Sequence, residues 1–528
     1  MKWMSASIGI SVLACVAILA TCGCRRAPAV PASDSPESER SLDDSGVSSI
    51  GGSVRDEHGP MTDSRVRWKG HVESVITDAD GRFRLPALDG GPAQVTAWKE
   101  GYFIAGSPAD ASPLLLRLRQ LPREDNEHYK WIDPQPNPIQ KQNCGNCHGD
   151  IYREWAQSGH ARSAGNRRFL NLYDGTDWSG NKNIGWSLLR DRPDGSGVCT
   201  ACHAPTLPLE NSAYLDIRKA AGVAGQGVHC DYCHKIADIG NGAIGLTHGR
   251  FNLQLLRPHE GQLFFGPLDD VDRGEDAYSP LYRMSRYCAS CHEGTVFGVH
   301  VYSTYSEWLE SPARKEGKQC QTCHMTPTGK LTNVAPGNGG VERDPKTLGN
   351  HLFFAGSQAE MLRRCLKVSM TAEHKDGAVR VQVEMSVDDV GHRVPTGFID
   401  RNLVLLVDGI DAHGNPVGLT EGPTLSDVAG RMVAGRPGRL YAKLLADPNG
   451  REPMSFWQAE SDPVDNRLTP GRPDRSRYLF PANLQEVRVR VLYRRFWPQV
   501  AEVKRWPDSD LTVFDQRIRP KNSHSSHP

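Results

Sequence analysis

Five copies of the pattern C-x-x-C-H crowd into the stretch from Cys144 to His324. They are Cys144, Cys147 and His148; Cys199, Cys202 and His203; Cys230, Cys233 and His234; Cys288, Cys291 and His292; and Cys320, Cys323 and His324. The two intervening residues differ every time, as Gly-Asn, Thr-Ala, Asp-Tyr, Ala-Ser and Gln-Thr. With 19 histidines in 528 residues, five such placements by chance have odds on the order of one in ten million, so the imidazole belongs to the pattern.

Three chemistries use paired cysteines. A zinc ribbon takes two C-x-x-C pairs per ion, so five pairs leave one over, and zinc has no need of a histidine after each pair. Structural disulfides suit an exported chain but give no reason for the histidines. Covalent c-type haem attachment accounts for all three positions. Cysteines at i and i+3 reach the two vinyl groups as thioethers, and the adjacent histidine meets the iron as proximal ligand. The expected cofactor is therefore five covalently attached haem c groups with their iron. Hydrophobic residues make up only 38% of the chain, with 52 Gly and 36 Pro. Five macrocycles would supply the apolar surface that the side chains lack, and the haem-free polypeptide should fold poorly here.

Each iron has a second axial position. A histidine there limits the centre to electron transfer, whereas an open position admits a small ligand. Among the histidines outside the motifs, His160 (WAQSGHA) follows the first motif and His351 (GNHLFFAGS) follows the last. His392 (VGHRVPTG) sits in a Gly/Pro loop leaving a strand, and His248 and His300 lie between motifs. These five are the candidate distal ligands. His229, next to Cys230, is too constrained to serve that motif's iron.

The first 24 residues hold one Lys, an apolar run from Ile8 to Ala20 and then small residues, the layout of an export signal. The run is short for a membrane span, although an uncleaved anchor stays open as an alternative. Its end at Cys22 and Cys24 resembles a bacterial lipoprotein cleavage region, with Thr21 departing from the pattern. The expectation is an exported chain, periplasmic or held to the envelope by lipid on Cys22 or Cys24. Residues 25–48 are a Pro/Ser/acid linker without the apolar content to fold. Lys plus Arg and Asp plus Glu both number 62, and that balance argues against a nucleic-acid partner.

Residues 49–121 read as short strands broken by Gly, Pro and Asp turns. The DADG at Asp78–Gly81 reads as a plain turn, since Arg82 and Arg84 stand where calcium ligands would continue. Residues 122–365 carry the motifs. Residues 366–516 alternate apolar and polar again, as in AVRVQVEMSV and EVRVRVLYRRF, and residues 517–528 read as a disordered tail. One repeat crosses the middle region. Tyr152, Glu154, Trp155 and Ser158 match Tyr305, Glu307, Trp308 and Ser311, on short helices just after a motif. The first copy carries His160; the second has no histidine there.

The series CGNCH, EWAQSGHA, CTACHAP, GVHCDYCHK, YCASCHEG, TYSEWLESP, CQTCHM, NHLFFAGS and GHRVPTG resembles the multihaem cytochromes c related to cytochrome c-554, over roughly residues 128–400. The resemblance implies closely packed, mostly bis-histidine haems in an exported electron carrier, with His160 and His392 as distal ligands. That family borders on hydroxylamine oxidoreductases and multihaem nitrite or tetrathionate reductases. The missing histidine after Tyr305 keeps an oxidoreductase with one open iron as the competing reading. No C-x-x-C-K occurs in the chain. Residues 49–121 resemble the carboxypeptidase regulatory-like β-sandwich, which implies an accessory, non-catalytic module. The whole reads as a multidomain chain: a haem-cored, mostly α and loop-rich pentahaem cytochrome c domain, flanked by two antiparallel, sandwich-like β domains. Its expected partners are a redox protein donor and a redox protein acceptor.

Overall fold

The computed structural model describes residues 49–88, 94–208, 215–240, 242, 244–245, 249–354, 359–446, 450, 452–460, 462–507 and 510–522. The expected signal, Cys22, Cys24, the linker and His248 lie outside these residues. At the N-terminal end two small sheets close on one core. Strand Ser49–Arg55 pairs antiparallel with Arg82–Pro86 and parallel with Leu115–Arg117, so the sheet is not wholly antiparallel as expected. The second sheet runs Ser74–Ile76, Arg65–Trp68, Gln94–Trp98, Ala105–Pro108. Period-2 alternation drives the packing: Phe83 and Leu85 point inward with Val54, Val66, Val95 and Leu116, while Arg82 and Arg84 face water. Asp78 closes a turn, its Oδ1 accepting from the N–H groups of Asp80 and Arg82, with Gly81 in the left-handed region.

This N-terminal unit is locked onto the motif region by an acidic loop. Asp269 pairs with Arg67, and Asp272 accepts from Lys69 Nζ at 2.5 Å. Asp270 accepts from the Gly70 N–H and from Arg343, both at 2.7 Å. All three carboxylates are buried, where removing one partner of an ion pair costs far more than at a surface. Phe103 continues the contact by packing against Leu263 and Phe265.

The motif region is less helical than expected. Its longest described helices, Gly149–Ala156 and Arg167–Asp174, have 8 residues each. Three two-stranded sheets lie among them: Ile236–Ile239 with Leu253–Leu255, Phe264–Gly266 with Asp276–Tyr278, and Glu293–Val296 with Val299–Ser303. The motifs themselves occupy one or two turns, at Cys144–Cys147, Thr200–His203, Cys230–Cys233, Arg286–His292 and Cys320–His324. Helices this short are unstable alone and need tertiary support.

The C-terminal region stacks two sheets over a large aliphatic core. One runs Asp474–Pro481, Ala378–Val387, Leu366–Lys375, Lys521–Asn522; the other runs Pro416–Val417, Asn402–Ile410, Glu486–Arg494, Leu511–Ile518, with Gly438–Tyr441 also pairing with Asn402–Ile410. Leu403 to Val407 are buried on both faces, because Leu403, Leu405 and Val407 enter one core and Val404 and Leu406 another. The sheets continue past Gln516, where the sequence pattern ended them. Ile518 pairs with Val487, and Lys521–Asn522 adds parallel to Leu366–Lys375, so the expected tail at 517 begins inside the fold. Residue 365 is likewise no packing boundary. Leu172, Tyr173 and Val299 share one core with Trp457, Trp497 and Trp506.

Lys504 secures that shared core. It is fully buried, and its Nζ donates to the carbonyls of Asn171 (2.8 Å), Thr176 (3.1 Å), Ile184 (2.5 Å) and Trp186 (2.7 Å). Burial lowers its pKa to about 8. The side chain thus stands as an internal cation for the loop, beside buried Asp177, which accepts from the Ser179 and Asn181 N–H groups. Lys504→Met should lower stability by about 3 kcal/mol or more, since several carbonyls lose a charged donor at once. Denaturant unfolding of the mature protein checks the size, and protease nicking between Asn171 and Trp186 should rise.

Candidate metal centres

A C-x-x-C-H turn places its two sulfurs on one helix face with the imidazole beside them. All ten motif cysteines are unbridged and partly buried. Four motif imidazoles are oriented by a backbone carbonyl on Nδ1: His148 by Val334 at 2.7 Å, His203 by Ser163 at 3.1 Å, His234 by Phe265 at 2.5 Å, and His324 by Phe354. An Nδ1–H donating to a carbonyl leaves the Nε2 lone pair for a metal, the usual outer-shell arrangement of a ligating histidine. Among the described residues, no three His, Cys, Asp or Glu side chains converge as a zinc site would require.

Two second imidazoles face motif imidazoles across a gap. The ring centres of His160 and His292 are 6.2 Å apart at 75° between planes; those of His324 and His392 are 6.2 Å apart at 25°. Two metal–imidazole bonds of about 2.0 Å each, plus the ring radius on either side, span about 6 Å. The residues present therefore fit a six-coordinate iron at both places. Burial pushes His160 and His392 down to about 4 and His292 to about 3, so all three stay neutral at pH 7, as ligation requires.

His351 is half-buried, and its buried Nδ1 has no hydrogen-bond partner. Burial lowers it to about 3, with His234 and then His148 adding to the shift, so it lies near the first and third motifs. His203 is stacked by Phe169, ring centres 4.1 Å apart at 14°. Gly249, at φ +58°, lets the backbone come against Ala201 inside the second motif, where a Cβ would meet the Ala201 carbonyl oxygen at 2.2 Å.

His300 corrects the sequence reading. It sits on strand Val299–Ser303 with Nε2 2.5 Å from Glu293 Oε1, and its side chain is 41% exposed. A carboxylate occupies the nitrogen that would reach a metal. His229 is buried and used structurally: Nδ1 accepts the Tyr232 N–H and Nε2 meets Thr206 Oγ1 at 3.2 Å. His248 lies outside the described residues.

The repeat proves to have a role the sequence reading missed. Its helices are Gly149–Ala156 and Thr304–Glu310. Trp155 Nε1 donates to the Val228 carbonyl and Trp308 Nε1 to that of Lys318, both at 2.9 Å. The paired glutamates brace the loops that carry second imidazoles. Glu154 accepts the His351 N–H at 2.8 Å; Glu307 accepts the Arg393 N–H, next to His392, at 3.0 Å. Glu307 also pairs with buried Arg467, which pairs with Asp465 at 2.7 Å. The matching offset of Glu154 and Glu307 was the available signal.

The motifs also touch one another. The thiol of Cys144 interacts with that of Cys230, Cys202 with Cys291, and Cys288 with Cys320. Cys233 lies close enough to Cys291 to interact electrostatically.

Breaking a brace should be measurable. Glu307→Gln leaves Arg467 short of a charge partner and should cost about 3 kcal/mol in the denaturant midpoint. Glu154→Gln weakens a single backbone hydrogen bond and should cost about 1 kcal/mol.

Residues 143–235 match the family model for cytochrome c554 and c-prime, a stretch holding the first three motifs. The fold resembles a penta-heme cytochrome c552 from Thermochromatium tepidum, with a TM-score of 0.54 and 23% identity, over 71% of this chain and 97% of that one. A family 123 glycoside hydrolase from Clostridium perfringens aligns at a TM-score of 0.12 and 10% identity, over 30% of this chain and 27% of that one, which carries no argument. No curated protein matches the chain. The first three motifs thus match the cytochrome c554 and c-prime family model, and the fold is one shared with a penta-heme cytochrome c552.

Proposed function

We propose that the chain is an exported pentahaem cytochrome that passes electrons between two redox proteins. The two facing imidazole pairs carry this reading, because a bis-histidine iron has no position left for a substrate. Haem c at these sites supplies a one-electron couple. The ten motif cysteines hold it by thioethers, and His148, His203, His234, His292 and His324 serve as proximal ligands. His160 is assigned opposite His292 and His392 opposite His324. His351 is assigned to the first or third motif, and His248 remains a sequence candidate for another.

The sulfur contacts support a path that departs from chain order. The first motif neighbours the third, the third the fourth, and the fourth both the second and the fifth. The N-terminal unit, read as carboxypeptidase regulatory-like, acts as an accessory brace against the third motif. Lipid on Cys22 or Cys24 would hold the assembly at the envelope.

A pyridine haemochrome assay with intact mass should give five haems per chain, and replacing both cysteines of any one motif by Ala should remove one. Fewer than five in the parent protein would overturn the assignment. The His292 and His324 centres should stay low-spin in the oxidised spectrum and should not move with cyanide or nitrite. A high-spin band that shifts on addition would favour the competing reading, an oxidoreductase for a small nitrogen or sulfur compound such as hydroxylamine, nitrite or tetrathionate.

A further inference from the structure

The segment Asn350–Phe354 touches three of the candidate centres. The Asn350 N–H donates to Met325 O at 3.1 Å, and the Phe354 N–H to His324 O at 3.2 Å. The Phe354 carbonyl accepts from His324 Nδ1. His351 is held by Glu154 at 2.8 Å. Between these anchors Phe353 has φ +47°, a left-handed conformation that a bulky residue adopts only when its surroundings impose it. The ring it presents packs edge-on to His160, centres 4.4 Å apart at 78°, and edge-on to His351, 5.9 Å at 86°.

We propose that Phe353 is a positioning residue that holds His160 crosswise to His292, giving the fourth motif's iron a different electronic ground state from the fifth's. The proposal rests on reading His160 and His392 as distal ligands. An imidazole donates π density to the iron d orbital perpendicular to its ring plane. Two nearly parallel rings, as at His324 and His392 (25°), act on one orbital and split the pair. Two crossed rings, as at His160 and His292 (75°), act on both and leave them nearly degenerate. A low-spin ferric centre with split orbitals gives a three-line rhombic EPR signal. One with near-degenerate orbitals keeps its orbital moment and gives a single large-gmax feature. An imidazole can turn about its bond to the metal, so the crossed angle needs a wall. Phe353 provides that wall, and its anchored neighbours keep it from swinging aside.

EPR of the oxidised, fully haem-loaded protein tests this, with each centre identified by difference from a variant. His160→Met should remove a large-gmax feature, and His392→Met a rhombic signal. Phe353→Ala should shift the large-gmax feature toward a rhombic signal with the His392-dependent signal unmoved, and Phe353→Tyr should restore it. Phe353→Gly, which also removes the wall and suits the left-handed backbone, serves the same purpose if the Ala variant fails to mature. If His160→Met and His392→Met change no signal, the distal assignment falls. If His160→Met removes a rhombic signal instead, or if Phe353→Ala (or Phe353→Gly in its place) leaves the large-gmax feature unshifted, the distal assignment stands and the role of Phe353 is overturned.

Discussion

A ring nitrogen buried without a hydrogen-bond partner is expensive, and His351 Nδ1 is one in the middle of this molecule. His160, His292, His351 and His392 are all pushed well below the ordinary histidine pKa by burial. His351 Nδ1 meets no hydrogen-bond partner, and two imidazole pairs have ring centres 6.2 Å apart. A metal accepting a lone pair from each side removes that cost. The short helices follow from the same constraint. A motif needs only one turn to present two sulfurs and an imidazole, and the chain then leaves to reach the next centre.

The outer regions take part in these centres. His392 comes from the C-terminal β region, on a loop held by Glu307. The Phe265 carbonyl that orients His234 belongs to a residue packed by Phe103 of the N-terminal unit. Lys504 and the Trp457–Trp497–Trp506 cluster tie the C-terminal sheets to residues 171–186. Buried ion pairs such as Arg467 with Glu307 and Arg343 with Asp270 are weak sources of net stability, but each fixes a geometry that a greasy contact would leave free to slide.

Much of this was legible from local pattern. Alternation marked Ala378–Val387 and Glu486–Arg494 as strands, because a period of two needs only neighbouring residues to agree. It failed at the C-terminus, where Lys521–Asn522 joins a sheet through a parallel partner far earlier in the chain. Helix content in the motif region was overread, since attachment turns look helical but do not propagate. Among the histidines, His300 and His392 were both candidate ligands, and the Glu293 carboxylate on Nε2 sets His300 aside.

The sequence by itself determined where haem is proposed to attach and which histidine would meet the iron from that side. Those roles depend on residues at i, i+3 and i+4, and covalent spacing enforces them. Tertiary structure decided which second imidazole faces which motif, and which motifs are neighbours. His160 meets His292, and Cys144 meets Cys230, across long stretches of chain. Such encounters depend on how loops are anchored by Glu154, Glu307 and the Asn350–Phe354 segment, and no local spacing encodes that.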